Sequence, residues 1–135
     1  MTHDLNVLPK RRLEPLCDKI GLPTIRAVVD DFYERIQRHP TLAGPFSVVG
    51  DWDLHKERLT HYWWTVMGGL PYKDFRYALG DKHAPLGLSN ALVDDWLALF
   101  QETMADHLEP ELARRWHGMA QGIGESLRLM FARDH

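Results

Sequence analysis

Apolar residues recur with the 3.6-residue period of an α-helix along most of the sequence, whereas the alternating pattern of a half-buried β-strand is nearly absent. Glycines and prolines separate these helical patterns from one another. The sequence therefore predicts an all-α fold of five or six helices. Its 135 residues are the usual size of one domain and contain no repeat or low-complexity linker, so residues 1–135 are expected to form a single domain.

Capping residues and prolines predict where the helices begin and end. A proline suits the first turn of a helix, and the residue before a proline resists helical geometry. A compact domain also rarely keeps a long irregular segment without a functional reason, and residues 70–89 are predicted to be irregular. The predicted helices are a short one at 13–20 within an N-terminal extension of residues 1–23, one capped by Thr24 that ends near His39 and Pro40, one from Trp52 to Gly68, one capped by Asn90, and a last one with Pro110 in its first turn.

The composition narrows the class of protein. The formal net charge of −3 provides no basic field, which argues against nucleic acid or an anionic membrane surface as a partner. Cys17 is the one cysteine, so an internal disulfide and a cysteine-rich metal site are excluded. No signal-peptide core is present and no apolar run approaches the ~20 residues that cross a bilayer, which predicts a reduced, cytoplasmic protein. The 5 tryptophans and 8 histidines favour a lined pocket over a plain bundle.

The helix predicted from Trp52 carries a histidine in the middle of its most apolar face. His55 falls on this stripe, whereas His61 falls outside it and is predicted to be an ordinary solvent-side residue. His55 therefore needs a partner beyond the usual helix–helix packing. The other members of the stripe are Trp52, Leu59, Tyr62, Trp63 and Val66.

Three of the predicted helices contribute an inward polar or amphipathic side chain, namely Tyr33, His55 and Trp96. A fourth candidate, His83, lies in the irregular segment beside Leu86 and Leu88. Each of them alone is most simply a core side chain with one satisfied hydrogen bond. Together, a wall of hydroxyl, indole and imidazole donors and a separate histidine on a loop resemble the two sides of an iron site.

Other metal sites and catalytic motifs fit the sequence less well. The His-Glu-x-x-His motif of zinc proteases is absent, as are a phosphate-binding loop and a nucleophile elbow. A helical di-iron site needs paired Glu-x-x-His motifs, and the nearest candidate, His107 with Glu111, is interrupted by Pro110 and is expected to be solvated. The remaining histidines are predicted to be surface residues without a role: His3, His39, His117 and His135.

Several motifs, in this order and spacing, resemble the truncated haemoglobins, and most closely their third group. The segment Phe32-Tyr33-Glu34-Arg35-Ile36, followed by Pro40, Leu42, Gly44, Pro45 and Phe46, is similar to that family's second helix and its exit. Trp52-x-x-His55 with Tyr62-Trp63 and Gly68 resembles the distal helix, Lys82-His83 the proximal segment, and Trp96 to Phe100 with Thr103 the next helix. The resemblance covers roughly residues 25–131 and implies a truncated globin fold around a haem.

The resemblance also implies roles for individual residues. His83 would be the proximal ligand of the haem iron. Tyr33 and Trp96 would be the distal hydrogen-bond donors, and His55 would be the distal histidine or a gate. The remaining haem contacts that it implies are Leu59 and Trp63 in the distal wall, Phe46, and Arg58 and Lys82 near the haem propionates.

The function implied is a haem b protein that binds O2, NO, CO, peroxide or cyanide at its iron. A cage of three donors favours slow release of the ligand, which suits redox chemistry of O2, NO or peroxide better than bulk transport. Such a cycle, in the manner of an NO dioxygenase or a peroxidase, would need an external reductase, and a monomer is expected. Two alternatives stay open: a gas-ligand sensor without turnover, and a helical interaction domain that binds no haem.

Overall fold

The computed structural model describes residues 14–75 and 89–131, and these residues form α-helices joined by turns. The predicted all-α class is confirmed. None of the helices in these two ranges is long and apolar enough to cross a membrane. Helix α1 spans Leu16–Ile20, α2 Leu22–Ile36, α3 Trp52–Val66, α4 Asn90–His107 and α5 Pro110–Phe131, with a 3-10 helix at Pro45–Val48. The predictions for His3, Lys82, His83, Leu86, Leu88 and His135 lie outside the described residues.

Helix α2 lies at the centre of the packing. It contacts both α3 and α4, while α4 lies against α5 and the short α1 touches α2, α3 and α5. Its buried residues recur at helical spacing, as the sequence predicted, and place one amphipathic side chain, Tyr33, on the buried face. The buried residues of α2 are Ile25, Val28, Val29, Phe32, Tyr33 and Ile36.

The predicted starts of two helices are wrong by a few residues. Helix α2 begins at Leu22 after Gly21 and not after Thr24, because Pro23 is tolerated in a first turn whose N–H groups have no helical partner. Helix α4 is capped by Ser89 and not by Asn90, since the Ser89 hydroxyl accepts the Leu92 N–H at 3.1 Å.

The prediction that His61 faces solvent is wrong. This side chain is only 2% exposed, because the chain after α3 folds back over that side of the helix. His117 is half-buried, with its Nε2 atom 2.9 Å from the carbonyl oxygen of Leu97, so it is not a plain surface residue either. Met119 and Met130 of α5 are 37% and 50% exposed.

Candidate functional site

The Trp96 indole N–H of α4 acts on the Tyr33 hydroxyl of α2 as a hydrogen-bond donor and lowers the pKa of the phenol, against the effect of burial. Tyr33 is 3% exposed, and Trp96 is half-buried. A hydroxyl oxygen that accepts one hydrogen bond keeps its own hydrogen for a second partner. The Tyr33 O–H therefore remains available as a hydrogen-bond donor.

Burial controls the protonation of this tyrosine. Removal of the phenol from water raises the pKa of Tyr33 far above its ordinary value, and the hydrogen bond from Trp96 opposes this only in part. The hydroxyl consequently stays protonated throughout the physiological pH range. It can act as a donor but not as a phenolate base.

His55 of α3 lies against the same tyrosine. Its ring meets the Tyr33 ring edge-on, with centroids 5.0 Å apart and an interplanar angle of 85°. Trp52, one turn earlier on α3, lies 5.6 Å from the His55 ring and 6.1 Å from the Tyr33 ring. Phe46 of the 3-10 helix is 6.0 Å from Tyr33. Two helical elements thus bring three rings around the tyrosine.

An ion pair outside these rings joins α2 to α3. Glu34 follows Tyr33 in the sequence, Lys56 follows His55, and the Lys56 ammonium lies 2.6 Å from the Glu34 carboxylate. The Lys56 side chain is 14% exposed, which reduces screening of the pair by water on that side. The ion pair therefore supports the spacing of the two helices beside the Tyr33–His55 contact.

A layer of stacked aromatic rings lies behind Tyr33 and Trp96. Phe32 and Phe100 stack face to face, with centroids 4.3 Å apart and planes within 5°. Trp63 meets Phe100 at 5.7 Å and Trp116 at 5.9 Å, and it is 2% exposed. Trp63, predicted as a wall residue, is thus held deep in the core by other rings.

The other predicted haem contacts lie along or beyond α3. Leu59 is half-buried and packs against the hydrophobic core. The Arg58 guanidinium lies over the Phe75 ring, 5.0 Å from its centroid. Among the described residues no three His, Cys, Asp or Glu side chains cluster as metal ligands do. His83 and Lys82 lie outside these residues.

The sequence and the arrangement of its helices are matched by known proteins. The model of the bacterial-like globin family matches residues 15–121. The chain belongs to the bacterial-like globin family. This globin is 30% identical over 96 residues to a group 2 truncated haemoglobin of Bacillus subtilis (strain 168), an alignment that covers 67% of this chain and 69% of that protein.

Two solved structures share the fold of this globin. A group III truncated haemoglobin from Campylobacter jejuni superposes with a TM-score of 0.77 at 22% identity, covering 84% of this chain and 93% of that one. A truncated oxygen-avid haemoglobin from Bacillus subtilis gives a TM-score of 0.75 at 23% identity, covering 84% and 98%. These likenesses concern the fold.

Family membership confirms the predicted truncated haemoglobin and its fold. It makes the chain a haem-binding globin with small gaseous ligands at the haem iron. The similar proteins include members of two groups, since the curated sequence relative belongs to group 2 and one structural neighbour to group III. The sequence reasoning gave Trp52 no role, although the apolar stripe of α3 already placed it beside His55.

Proposed function

We propose that this globin binds haem b and uses Tyr33, Trp96 and His55 to hold a small ligand for redox chemistry of O2, NO or peroxide, and not for bulk transport. The observation that carries the proposal is the hydrogen bond from Trp96 to Tyr33, because it leaves the tyrosine O–H available as a donor. His55 lies 5.0 Å from the same ring.

The donor set fits a haem with a polar diatomic ligand. When bound, haem supplies the iron at which such a ligand is held and exchanges electrons. His83 would be the protein ligand of that iron. Phe46, Leu59 and Trp63 would contact the cofactor, and Arg58 and Lys82 would lie near its propionates.

Tyr33 would supply the strongest hydrogen bond to the ligand. Its hydroxyl oxygen already accepts from Trp96, and a hydroxyl that accepts a hydrogen bond is polarised into a better donor. The surrounding rings of Phe32 and Phe46 exclude water, which strengthens the bond further. Because its pKa is raised by burial, Tyr33 would not exchange its proton with the ligand at neutral pH.

His55 would supply an adjustable donor. Its ring is held edge-on between Tyr33 and Trp52, and imidazole can carry a proton on either nitrogen. A ring N–H could therefore donate a hydrogen bond to a ligand, and an imidazolium could transfer its proton to that ligand and become neutral imidazole. That capacity distinguishes His55 from Tyr33, whose proton is held tightly.

Slow release of the ligand is the reason to favour redox chemistry. Each hydrogen bond to a partly charged acceptor in a dry site adds about 1–3 kcal/mol, which slows dissociation. A protein that retains oxygen is poorly suited to deliver it but gives a second reactant time to arrive. We propose an external reductase, a monomer and a cytoplasmic location as part of this function.

An absorption spectrum tests the cofactor, and rapid mixing tests the reaction. The parent protein should show a strong haem band that shifts or disappears in His83→Ala. The oxygenated form mixed with NO in a stopped-flow instrument should form nitrate faster than a Tyr33→Phe, Trp96→Phe double variant. Tyr72→Phe, which alters a tyrosine outside the donor set, is the matched control and should behave like the parent. Equal rates in the parent and the double variant would contradict the proposed reaction.

A further inference from the structure

His61 is a buried histidine that contacts the chain leaving α3. Residues 70–75, named here the exit segment, follow α3 and run along the side of the helix where His61 lies. The His61 Nε2 atom accepts the backbone N–H groups of Tyr72 at 3.2 Å and Lys73 at 3.3 Å. The Tyr72 and Phe75 rings meet the imidazole edge-on, with centroids at 4.7 Å and 5.5 Å.

The two hydrogen bonds fix the protonation state of the ring. A nitrogen that accepts a hydrogen bond carries no proton, so the neutral imidazole bears its hydrogen on Nδ1. In the imidazolium form both nitrogens are donors. Protonation of His61 at Nε2 would therefore replace an acceptor by a donor that faces two backbone N–H groups.

Burial and the neighbouring Lys73 also favour the neutral ring of His61. Burial lowers the pKa of His61, and the ammonium of Lys73 lowers it further. Lys73 pairs with Glu57, one turn before His61 on α3, with its Nζ atom 3.0 Å from the carboxylate. Arg58 lies over Phe75 on the same side. Among the described residues, two cations and one carboxylate thus face this contact.

A second attachment of the exit segment does not involve an ionisable group. The Trp64 indole N–H donates to the Leu70 carbonyl oxygen at 2.9 Å, and the Gly69 N–H donates to the Trp64 carbonyl oxygen at 2.9 Å. These bonds hold the beginning of the exit segment at any pH. The part beyond it, at Tyr72 and Lys73, depends on His61.

We propose that His61 is a pH-dependent latch that holds the exit segment against α3 while its ring is neutral and releases residues 72–75 when Nε2 is protonated. Trp64 keeps residues 69–70 attached in both states. His61 is thus a positioning residue for the chain that leaves the helix of His55. The proposal goes beyond the proposed function and does not depend on ligand chemistry.

The direction of the pH effect follows from the lowered pKa. The unfolded chain takes up a proton at the ordinary pKa of histidine, whereas the folded chain does so only at lower pH. The His61 contact therefore stabilises the folded state fully at pH values above the ordinary histidine pKa. Its contribution falls as the pH drops from there through the folded-state pKa of His61.

Amide hydrogen exchange of the haem-loaded protein tests the latch directly. Protection factors, which correct for the intrinsic pH dependence of exchange, are measured by nuclear magnetic resonance from pH 7.5 to pH 5. We expect protection at Tyr72 and Lys73 to fall about tenfold with the titration of the His61 ring nitrogens, while the Gly69 amide keeps its protection. Protection factors that do not change with pH at any of the three amides would overturn the proposal.

Two variants separate the latch from general loosening. His61→Gln offers an oxygen acceptor that does not titrate, and its Tyr72 and Lys73 amides should be protected at every pH. Lys73→Met removes the nearby cation, so the midpoint of the transition should move to higher pH. A transition in His61→Gln as large as in the parent, or an Nε2 atom already protonated at pH 7.5, would show that His61 does not operate the latch.

Discussion

The Trp96 indole is a hydrogen-bond donor to the Tyr33 hydroxyl, so in the proposed function the tryptophan would act on a ligand partly through the tyrosine. The two residues lie on α2 and α4, which pack against each other. Phe32 packs beside both rings, with its centroid 5.0 Å from that of Tyr33 and 5.8 Å from that of Trp96. The donor strength proposed for Tyr33 would therefore depend on Trp96.

Tyr33→Phe should accelerate oxygen dissociation. Loss of one charge-assisted hydrogen bond of about 1–3 kcal/mol corresponds to a rate increase of roughly 5- to 150-fold. The ring packing is kept, so the free energy of unfolding should change far less than the dissociation rate. Stopped-flow displacement of O2 by CO measures the rate, and Tyr72→Phe is the control. An unchanged rate would remove Tyr33 from the donor set.

Trp96→Phe should accelerate dissociation less in a Tyr33→Phe background than in the parent. The indole polarises and positions the tyrosine hydroxyl, and that part of its effect disappears once the hydroxyl is gone. A double-mutant cycle on the dissociation rates should therefore give a coupling free energy of about 0.5–2 kcal/mol. Additive effects would mean that Trp96 contacts the ligand independently of Tyr33.

The sequence indicated the members of this site but not how they meet. Helical periodicity placed Tyr33, His55 and Trp96 on inward faces, because the spacing of apolar residues in the sequence shows which face of each helix is apolar. Nothing in a single helix states that an indole on α4 donates to a hydroxyl on α2, because that bond depends on how the helices cross. Their roles at a haem remain a prediction.

Gly68→Ala should destabilise the protein by about 1–3 kcal/mol. Gly68 has a φ of +105°, a backbone conformation that residues with a side chain rarely adopt. An added Cβ would also lie 2.7 Å from the Cβ of Pro15. Gly118→Ala is the matched control, because nothing lies within 4 Å and alanine favours the helix by about 0.5–1 kcal/mol. Urea unfolding should give opposite signs for the two variants.

Helix boundaries and the burial of His61 illustrate what the sequence leaves open in the fold. All the long helices were predicted, because each has capping or breaking residues at its ends. His61 was predicted to face solvent because it lies outside the apolar stripe of its helix. The periodicity within a helix does not show that a later segment of the chain covers its other side. Residues 70–75 cover it, and their irregular pattern gave no sign of that contact.

Phe100→Ala should be among the most destabilising core substitutions, at about 3–5 kcal/mol. Its ring is fully buried, stacks on Phe32 at 4.3 Å and meets Trp116 at 5.5 Å, so truncation leaves a cavity between three helices. Phe100→Leu should cost about 1.5 kcal/mol, since most of the volume is kept. Leu129→Ala, at an 86% exposed position, should change the free energy of unfolding by under about 0.5 kcal/mol.

Asp31→Asn should reduce stability at neutral pH but not at acid pH. Burial raises the pKa of Asp31, but hydrogen bonds from His107 at 2.8 Å and Arg35 at 3.0 Å outweigh it, so the net pKa is lowered. A carboxylate whose folded pKa is lowered adds stability above its unfolded pKa, and this is lost as the pH falls through the folded value.

At pH 7 the free energy of unfolding of Asp31→Asn should be about 0.5–1 kcal/mol below that of the parent. This deficit is small because the Asp31 side chain is 30% exposed and water partly screens its charge. It should shrink toward zero once the pH falls below the folded pKa of the parent carboxyl. Urea unfolding at a series of pH values measures the difference, and Glu102→Gln, at an exposed position on α4, is the matched control for loss of a carboxylate. A deficit that persists in acid would mean that Asp31 stabilises the helix contact through packing and not through its charge.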